Sequence, residues 1–370
     1  MPQVFTISQT PITAHAFNGD RSQVALLSEH DKTITSIDWA PNSNQIVTAS
    51  QDRNAYVWQQ TPDPVTGKII WKPTLVLLRI NRAATHVRWS PKEDKFAVAG
   101  SLIFFFSAIA ICSFDPENNW WVSKLLKKPI RSTVLSVDWH PNNVLLAAGS
   151  ADMKARVFSA YIKEIDERPA ATVWGSKLPF NTICAEFASA AGGWVHGVGF
   201  SPSGDVLAFV SHDSSISIAY PSGPIHTIRM PTLPLVTLTW TSEDMIVAAG
   251  HDCQPMVFSG SDAGWQEVGT LDDGSHAGSK AGPSAVGRLK TGAFATFRDA
   301  DSRGQSSLGS TDTKLSTIHQ NTITSIRPYE GAGGQVTKVS TTGVDGKLVI
   351  WDTASGQRFS WSEWAAMSMN

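Results

Sequence analysis

The sequence predicts an all-β protein, a seven-bladed β-propeller, on three observations. Its 14 tryptophans are placed periodically. The short strand-like runs that they close are followed by stretches of small apolar residues, and then by an aspartate at a nearly fixed offset. Of the 370 residues, 42% are hydrophobic and only 17% charged. That composition supports a large core and argues against a disordered or coiled-coil chain.

The first strands come in order. Ile37-Asp38-Trp39 is followed by Pro41, Val87-Arg88-Trp89 by Pro91, and Val137-Asp138-Trp139 by Pro141. Val198-Gly199-Phe200 leads to Pro202, and Leu238-Thr239-Trp240 ends its run without a proline. Each is a short β run closed by an aromatic and a turn. A second strand follows each, over 46–50, 96–99, 145–149, 206–210 and 246–250. Small residues dominate these stretches, as expected where neighbouring blades crowd together.

The aspartates fix the repeat. Asp52, Asp152 and Asp213 stand thirteen positions after Trp39, Trp139 and Phe200, and Asp252 stands twelve after Trp240. Six residues beyond the aspartate a third strand ends in Trp58, Phe158, Phe258 and, after Asp345, Trp351. After Asp213 the sixth residue is Ala219, with Tyr220 next. This is the pattern of a WD repeat. An Asp in the turn between second and third strands is expected to accept hydrogen bonds from nearby backbone N–H groups. The reading of Asp52, Asp152, Asp213, Asp252 and Asp345 is therefore structural. The same holds for the pairs His212-Asp213 and His251-Asp252, which recur at the repeat position.

Seven blades are expected to begin near Ile12, Ile34, Thr85, Val134, Val195, Leu235 and Ile323. The last lacks a fourth strand of its own, and Val4-Phe5-Thr6-Ile7 is expected to supply it from the other end of the chain. That pairing would remove exposed sheet edges. Blade one has room for only 12–17 and 24–27 before blade two, so its outer half is expected to be missing. Blade three carries the apolar run Leu102-Ile103-Phe104-Phe105-Phe106 in its third strand, where the repeat calls for a turn. All 370 residues are read as a single propeller domain. Within it, 261–312 is an expected flexible arm between blades six and seven, rich in Gly, Ser and Asp. Inside that arm Val286, Leu289, Ala293 and Phe297, with Phe294, line one face of a short helix. A strap packed on the propeller and a partner-binding element both fit that stripe.

Other classes are disfavoured. The formal net charge of −2 gives no electrostatic reason for a nucleic-acid partner. Cys112, Cys184 and Cys253 are odd in number and widely spaced, which fits a reducing compartment and no zinc site. No signal peptide is read at the N-terminus, and the most apolar run is too short to cross a bilayer. No phosphate loop, nucleophile elbow or HExxH metal pair occurs, so neither an enzyme nor a cofactor is expected.

Between the repeats the chain resembles a specific family. The residues are Asp38-Trp39-Ala40-Pro41 with Asp52-Arg53-Asn54-Ala55-Tyr56-Val57-Trp58, and the stretches 71–84, 127–136, 138–150, 159–164, 194–198 and 248–252. They are similar to subunit 1 of the actin-related protein 2/3 complex, over most of the chain from Pro11 to Asp352. The resemblance implies a cytoplasmic scaffold in the actin cytoskeleton, within a seven-subunit assembly that nucleates branched actin filaments. It implies as partners the two actin-related proteins, the small subunits, the actin filament and nucleation-promoting factors. It further implies that the arm reaches the filament or an activator, with Leu289, Phe294, Phe297 and Arg298 as contacts. A separate basic stretch, Lys124, Lys127, Lys128 and Arg131, has two readings. One is a solvated loop before a strand at 133–137; the other is contact with an acidic subunit surface or the acidic tail of an activator. The alternative to this family is another WD-repeat adaptor, of a ubiquitin ligase or chromatin complex.

Overall fold

The computed structural model describes residues 2–25, 30–80, 82–101, 109–176, 178–221, 223–272, 315–332 and 334–356. Among them are six antiparallel four-stranded sheets, each an up-and-down blade. The chain divides into two compact units, Thr13–Arg229 and Met1–Ile12 with Met230–Asn370.

The first unit holds four blades. They are β2 to β5 (Ile34–Trp39, Ile46–Ser50, Ala55–Pro62, Ile69–Val76), then β6 to β9 (Ala84–Trp89, Lys95–Gly100, Ile109–Asp115, Trp120–Leu126). After these come β10 to β13 (Val134–Trp139, Leu145–Ser150, Lys154–Ser159, Ile183–Ala188) and β14 to β17 (Val195–Phe200, Leu207–Ser211, Ser215–Ala219, Ile225–Arg229). Each blade buries its face against the next. Val47, Val57, Val87, Phe96 and Val98 fill the first interface; Ile111, Leu126, Val137, Leu146 and Phe158 fill the second; Leu145, Val157, Val198 and Phe209 fill the third. Each fully buried aliphatic side chain contributes about 1.5–3 kcal/mol. Small residues stand where the next blade approaches. A Cβ on Gly149 would lie 2.7 Å from Val195 Cγ1.

The second unit holds two blades. One is β18 to β21 (Leu235–Ser242, Met245–Gly250, Met256–Ser261, Gly264–Thr270). The other joins β22 to β24 (Ile323–Ala332, Gln335–Gly343, Lys347–Asp352) to β1 (Gln3–Thr6). The expected pairing of the chain ends is present: Val4 lies opposite Val349 and Phe5 opposite Leu348. The backbone N–H groups of Ile7 and Ser8 both donate to the Gly346 carbonyl.

Two expectations need correction, and a third falls outside the described residues. Blade one, expected from Ile12 with strands at 12–17 and 24–27, forms no sheet among the described residues. Its remnant is one bridge, Phe17 to Val24, laid with Ala14 and Ala16 against Ile37, Trp39 and Trp58 of the following blade. No outer strands follow it among the described residues, as the sequence predicts, because about six residues cannot supply two more strands. The third strand of the Lys95 blade is described as β8, Ile109–Asp115, and the run at 102–106 that the sequence places in it lies outside the described residues. The start of the arm also shifts. Its first twelve residues, 261–272, are a hairpin and outer strand in which Ser261 pairs with Gly264 and Met256 with Thr270. The Gly-rich composition there serves a tight turn and a strand bulge, which resemble a linker in sequence.

Candidate interaction surface

The five turn aspartates share one backbone design. In each, the residue after Asp donates its N–H to the carbonyl three positions back: Arg53 to Ser50, Met153 to Ser150, Ser214 to Ser211, Cys253 to Gly250 and Gly346 to Gly343. Each of these donors has a left-handed φ, between 60° and 76°. This is the three-residue hairpin loop, a turn followed by a left-handed residue.

Around that common backbone the carboxylates differ. Asp52 accepts from the Asn54 N–H at 2.9 Å and bonds His30 Nδ1 at 2.7 Å. His30 Nε2 meets Thr48 Oγ1 at 2.8 Å, and the Trp58 indole N–H donates to that same hydroxyl at 3.0 Å. Asp345 repeats the chain through His319, Thr341 and Trp351, with 3.0, 2.8 and 2.7 Å links. Burial pushes both carboxyls up, but their histidine and backbone hydrogen bonds outweigh it and hold them below the usual carboxylate range.

The other three lack this chain. Asp213 accepts from Ser189 Oγ and the Ala191 N–H, both at 3.0 Å, and from Ser215 Oγ at 2.5 Å. Asp152 corrects the expectation of backbone donors. Its partners among the described residues are side chains, the Ser150 hydroxyl and the Arg156 guanidinium, the latter at 3.1 and 2.7 Å. Arg156 in turn donates to Glu186 at 2.7 Å. Asp252 accepts from the Leu233 N–H at 2.8 Å, and burial raises its carboxyl above the usual range. His251 turns instead to Thr322 Oγ1 at 3.0 Å. These carboxylates are held by turn, strand and loop groups of their own blades, an arrangement for fixing loops.

His30 and His319 went unread in the sequence, although each precedes its first strand by four residues. The equivalent positions elsewhere are Ile130, Ala191 and Pro231, whose side chains cannot bond a carboxylate. Two further aspartates were also missed. Asp38 accepts the Trp89 N–H at 2.8 Å and Asp138 the Phe200 N–H at 2.9 Å, each clamping its blade to the next.

The basic stretch lies on the connection between β9 and β10. Leu126, Ile130 and Val134 are buried anchors, which leaves Lys127, Lys128 and Arg131 exposed. Lys124, in β9, bonds Glu164 at 3.1 Å with both side chains exposed. Of the expected contact residues, Leu289, Phe294, Phe297 and Arg298 lie outside the described residues.

Beside the basic stretch runs the β12–β13 connection, residues 160–182, which the repeat did not foresee. Its first turn is pinned by Asp166. One carboxylate oxygen accepts the Ile162 N–H at 2.7 Å, and the other takes the Lys95 ammonium and the Asn143 amide. Lys95 is fully buried, with its Nζ 5.6 Å from the Trp139 ring centroid. Burial lowers its pKa against the opposing pull of Asp166. Further along, the Trp174 indole donates to the Gly204 carbonyl at 2.7 Å, tying the connection to the following blade.

The WD domain, G-beta repeat family matches residues 21–59 and 124–159. The chain is 48% identical to the "Actin-related protein 2/3 complex subunit 1" of Schizosaccharomyces pombe over 385 residues, covering 94% of this chain and 98% of that one. It is 48% identical to the Xenopus laevis "Actin-related protein 2/3 complex subunit 1A-B", with 92% and 94% covered. With the Saccharomyces cerevisiae subunit 1 it shares 38% identity, over 94% and 96% of the two chains. With WD-repeat blades whose turn carboxylates are taken up in loop contacts, and with similarity spanning nearly the full length of these relatives, the chain belongs to the actin-related protein 2/3 complex subunit 1 family, all-β WD-repeat propellers.

Proposed function

We propose that this chain is a non-catalytic scaffold subunit of the actin-related protein 2/3 complex and supports nucleation of branched actin filaments. The observation that carries the reading is similarity along nearly the whole of both chains, blades and inter-blade connections alike. A shared fold alone would not carry it, because propellers host many functions. In this reading its partners are the two actin-related proteins and the small subunits, and it works in the cytoplasm. Lys127, Lys128 and Arg131 meet an acidic subunit surface or the acidic tail of a nucleation-promoting factor. Leu289, Phe294, Phe297 and Arg298 contact the filament or an activator. Tagged chain expressed in cells is expected to co-purify with both actin-related proteins in equal amount. Recovery of a ubiquitin ligase or chromatin proteins in their place would overturn the reading. Reversing Lys127 and Lys128 to Glu is expected to weaken activation by acidic tails. Unchanged complex recovery and unchanged activation would return this face to ordinary solvated surface.

A further inference from the structure

One of the exposed cations, Lys124 of β9, is paired with a carboxylate whose backbone is fixed from beneath. The turn from Ile162 to Asp166 is closed by the Ile165 and Asp166 N–H groups, which both donate to the Ile162 carbonyl at 2.9 and 2.7 Å. It is anchored by buried Ile162, by Ile165 against the blade core, and by the Asp166–Lys95 pair. Glu164 sits at the apex of this turn, with 70% of its side chain exposed, and accepts from the Lys124 ammonium. Lys124 is three residues before Lys127 on a strand that runs directly into the basic connection.

An ordinary surface pair of this kind contributes little, because two mobile side chains must be ordered to make it. Here one partner is presented by a pinned turn, so less of the chain has to be ordered to hold its negative charge beside Lys124. That charge occupies Lys124 and repels an incoming carboxylate at the same edge. Selectivity is commonly built from such a repulsive element placed beside an attractive one. Its own backbone N–H and, after that, the bond to Lys124 hold the Glu164 carboxyl below the usual glutamate range.

We propose that Glu164 is a built-in competitor of the basic face, an intramolecular carboxylate that an acidic polypeptide must displace from Lys124 to bind there. The proposal rests on the reading of Lys127, Lys128 and Arg131 as an acidic-partner site. It assigns Glu164 a tuning role that a purely solvated side chain would not have.

The test uses the full chain, purified with the subunits that accompany it, and a fluorescent decapeptide of alternating Asp and Glu as the probe. Glu164→Gln is expected to tighten binding about threefold at low salt, with the gain fading above roughly 0.5 M salt as screening removes both attraction and competition. Glu167→Gln makes the same change in net charge on a neighbouring exposed residue that pairs instead with Lys92. It is expected to leave affinity within error of the parent. Equal tightening by both variants, or none by Glu164→Gln while Lys127→Glu/Lys128→Glu abolishes binding, overturns the competitor and leaves the basic face standing. No loss of binding with Lys127→Glu/Lys128→Glu overturns the basic-face reading itself, and the competitor with it.

Discussion

Asp52 and Asp252 stand at equivalent places in two blades, on turns with the same hydrogen bond and the same left-handed residue after them, yet their environments oppose each other. Asp52 is met by an imidazole and by N–H donors, and its charge is favoured. Asp252 is half-buried with a backbone donor from Leu233, and its charge is disfavoured. Three other positions make the difference. Four residues before the first strand stands His30 or Pro231; four before the aspartate, Thr48 or Ala248; six after it, Trp58 or Phe258. The backbone turn and the charge environment are thus specified separately, and the second can vary without loss of the first.

The comparison is broken most severely at a carboxylate outside the repeat. Asp166 uses the same device, a backbone N–H on one oxygen and a buried cation on the other, to hold an inserted turn. Lys95→Ala leaves that carboxylate buried and unpaired, and is expected to cost about 3–5 kcal/mol in chemical denaturation. Lys95→Met combined with Asp166→Asn is expected to recover part of that loss, since the neutral amide keeps an acceptor for the Ile162 N–H and leaves no uncompensated charge. A double variant as unstable as the single would mean that the damage lies in packing.

A smaller effect is expected at Gly346. Its φ of 72° suits glycine, and a Cβ there would meet the Ser8 carbonyl oxygen at 2.1 Å. Gly346→Ala is expected to destabilise by about 1–3 kcal/mol and to raise amide exchange at Ile7 and Ser8, because the clash pushes β1 away. Unchanged exchange at those two amides would separate turn strain from strand docking.

Next come the turn carboxylates themselves. Asp52→Ala removes the acceptor for His30 and Asn54 and is expected to cost about 1–3 kcal/mol. The pH dependence carries a sign. Because the folded pKa values of Asp52 and Asp345 lie below the unfolded value, their contribution is complete above about pH 4 and is lost as acid protonates them in the folded state. A denaturation midpoint that holds steady below about pH 4 in the parent, and is indifferent to Asp52→Asn, would remove the distinction.

The smallest effect sharpens the contrast from the other side. The folded pKa of Asp252 is raised, so its favourable contribution belongs to low pH and is lost as pH rises through the folded value. Asp252→Asn keeps an acceptor for Leu233 and sheds the charge. It is expected to be neutral or stabilising by less than about 1 kcal/mol at pH 7. A loss comparable to that of Asp52→Ala would show that both turns depend on charge alike.

Much of this was legible because it is periodic. The fixed offsets from Trp39, Trp139 and Phe200 located the turn aspartates, and the missing fourth strand pointed to residues 4–7, of which Val4, Phe5 and Thr6 pair with β24. The partners of those aspartates were harder to read. His30 and His319 keep a spacing of four to their strands, but two instances do not stand out beside a nearly fixed offset that recurs in four blades. Asp152 was given the wrong donors because Arg156, four residues on, reads as one more charged strand residue until the fold turns it inward. The start of the arm was misplaced because Gly264 and Gly269 mark a turn and a bulge as readily as a linker.

On its own the sequence determined the strands, the turns and the family, since these follow from local pattern: alternation, turn chemistry and an aspartate at a set distance from an aromatic. Only the tertiary structure decided what each carboxylate bonds, that Lys95 and Asp166 meet across 71 residues, and that Glu164 stands beside Lys124. Those pairings depend on how one blade packs against the next, and a residue's own neighbourhood in the chain carries no record of which side chain will arrive from a sheet 40 residues away.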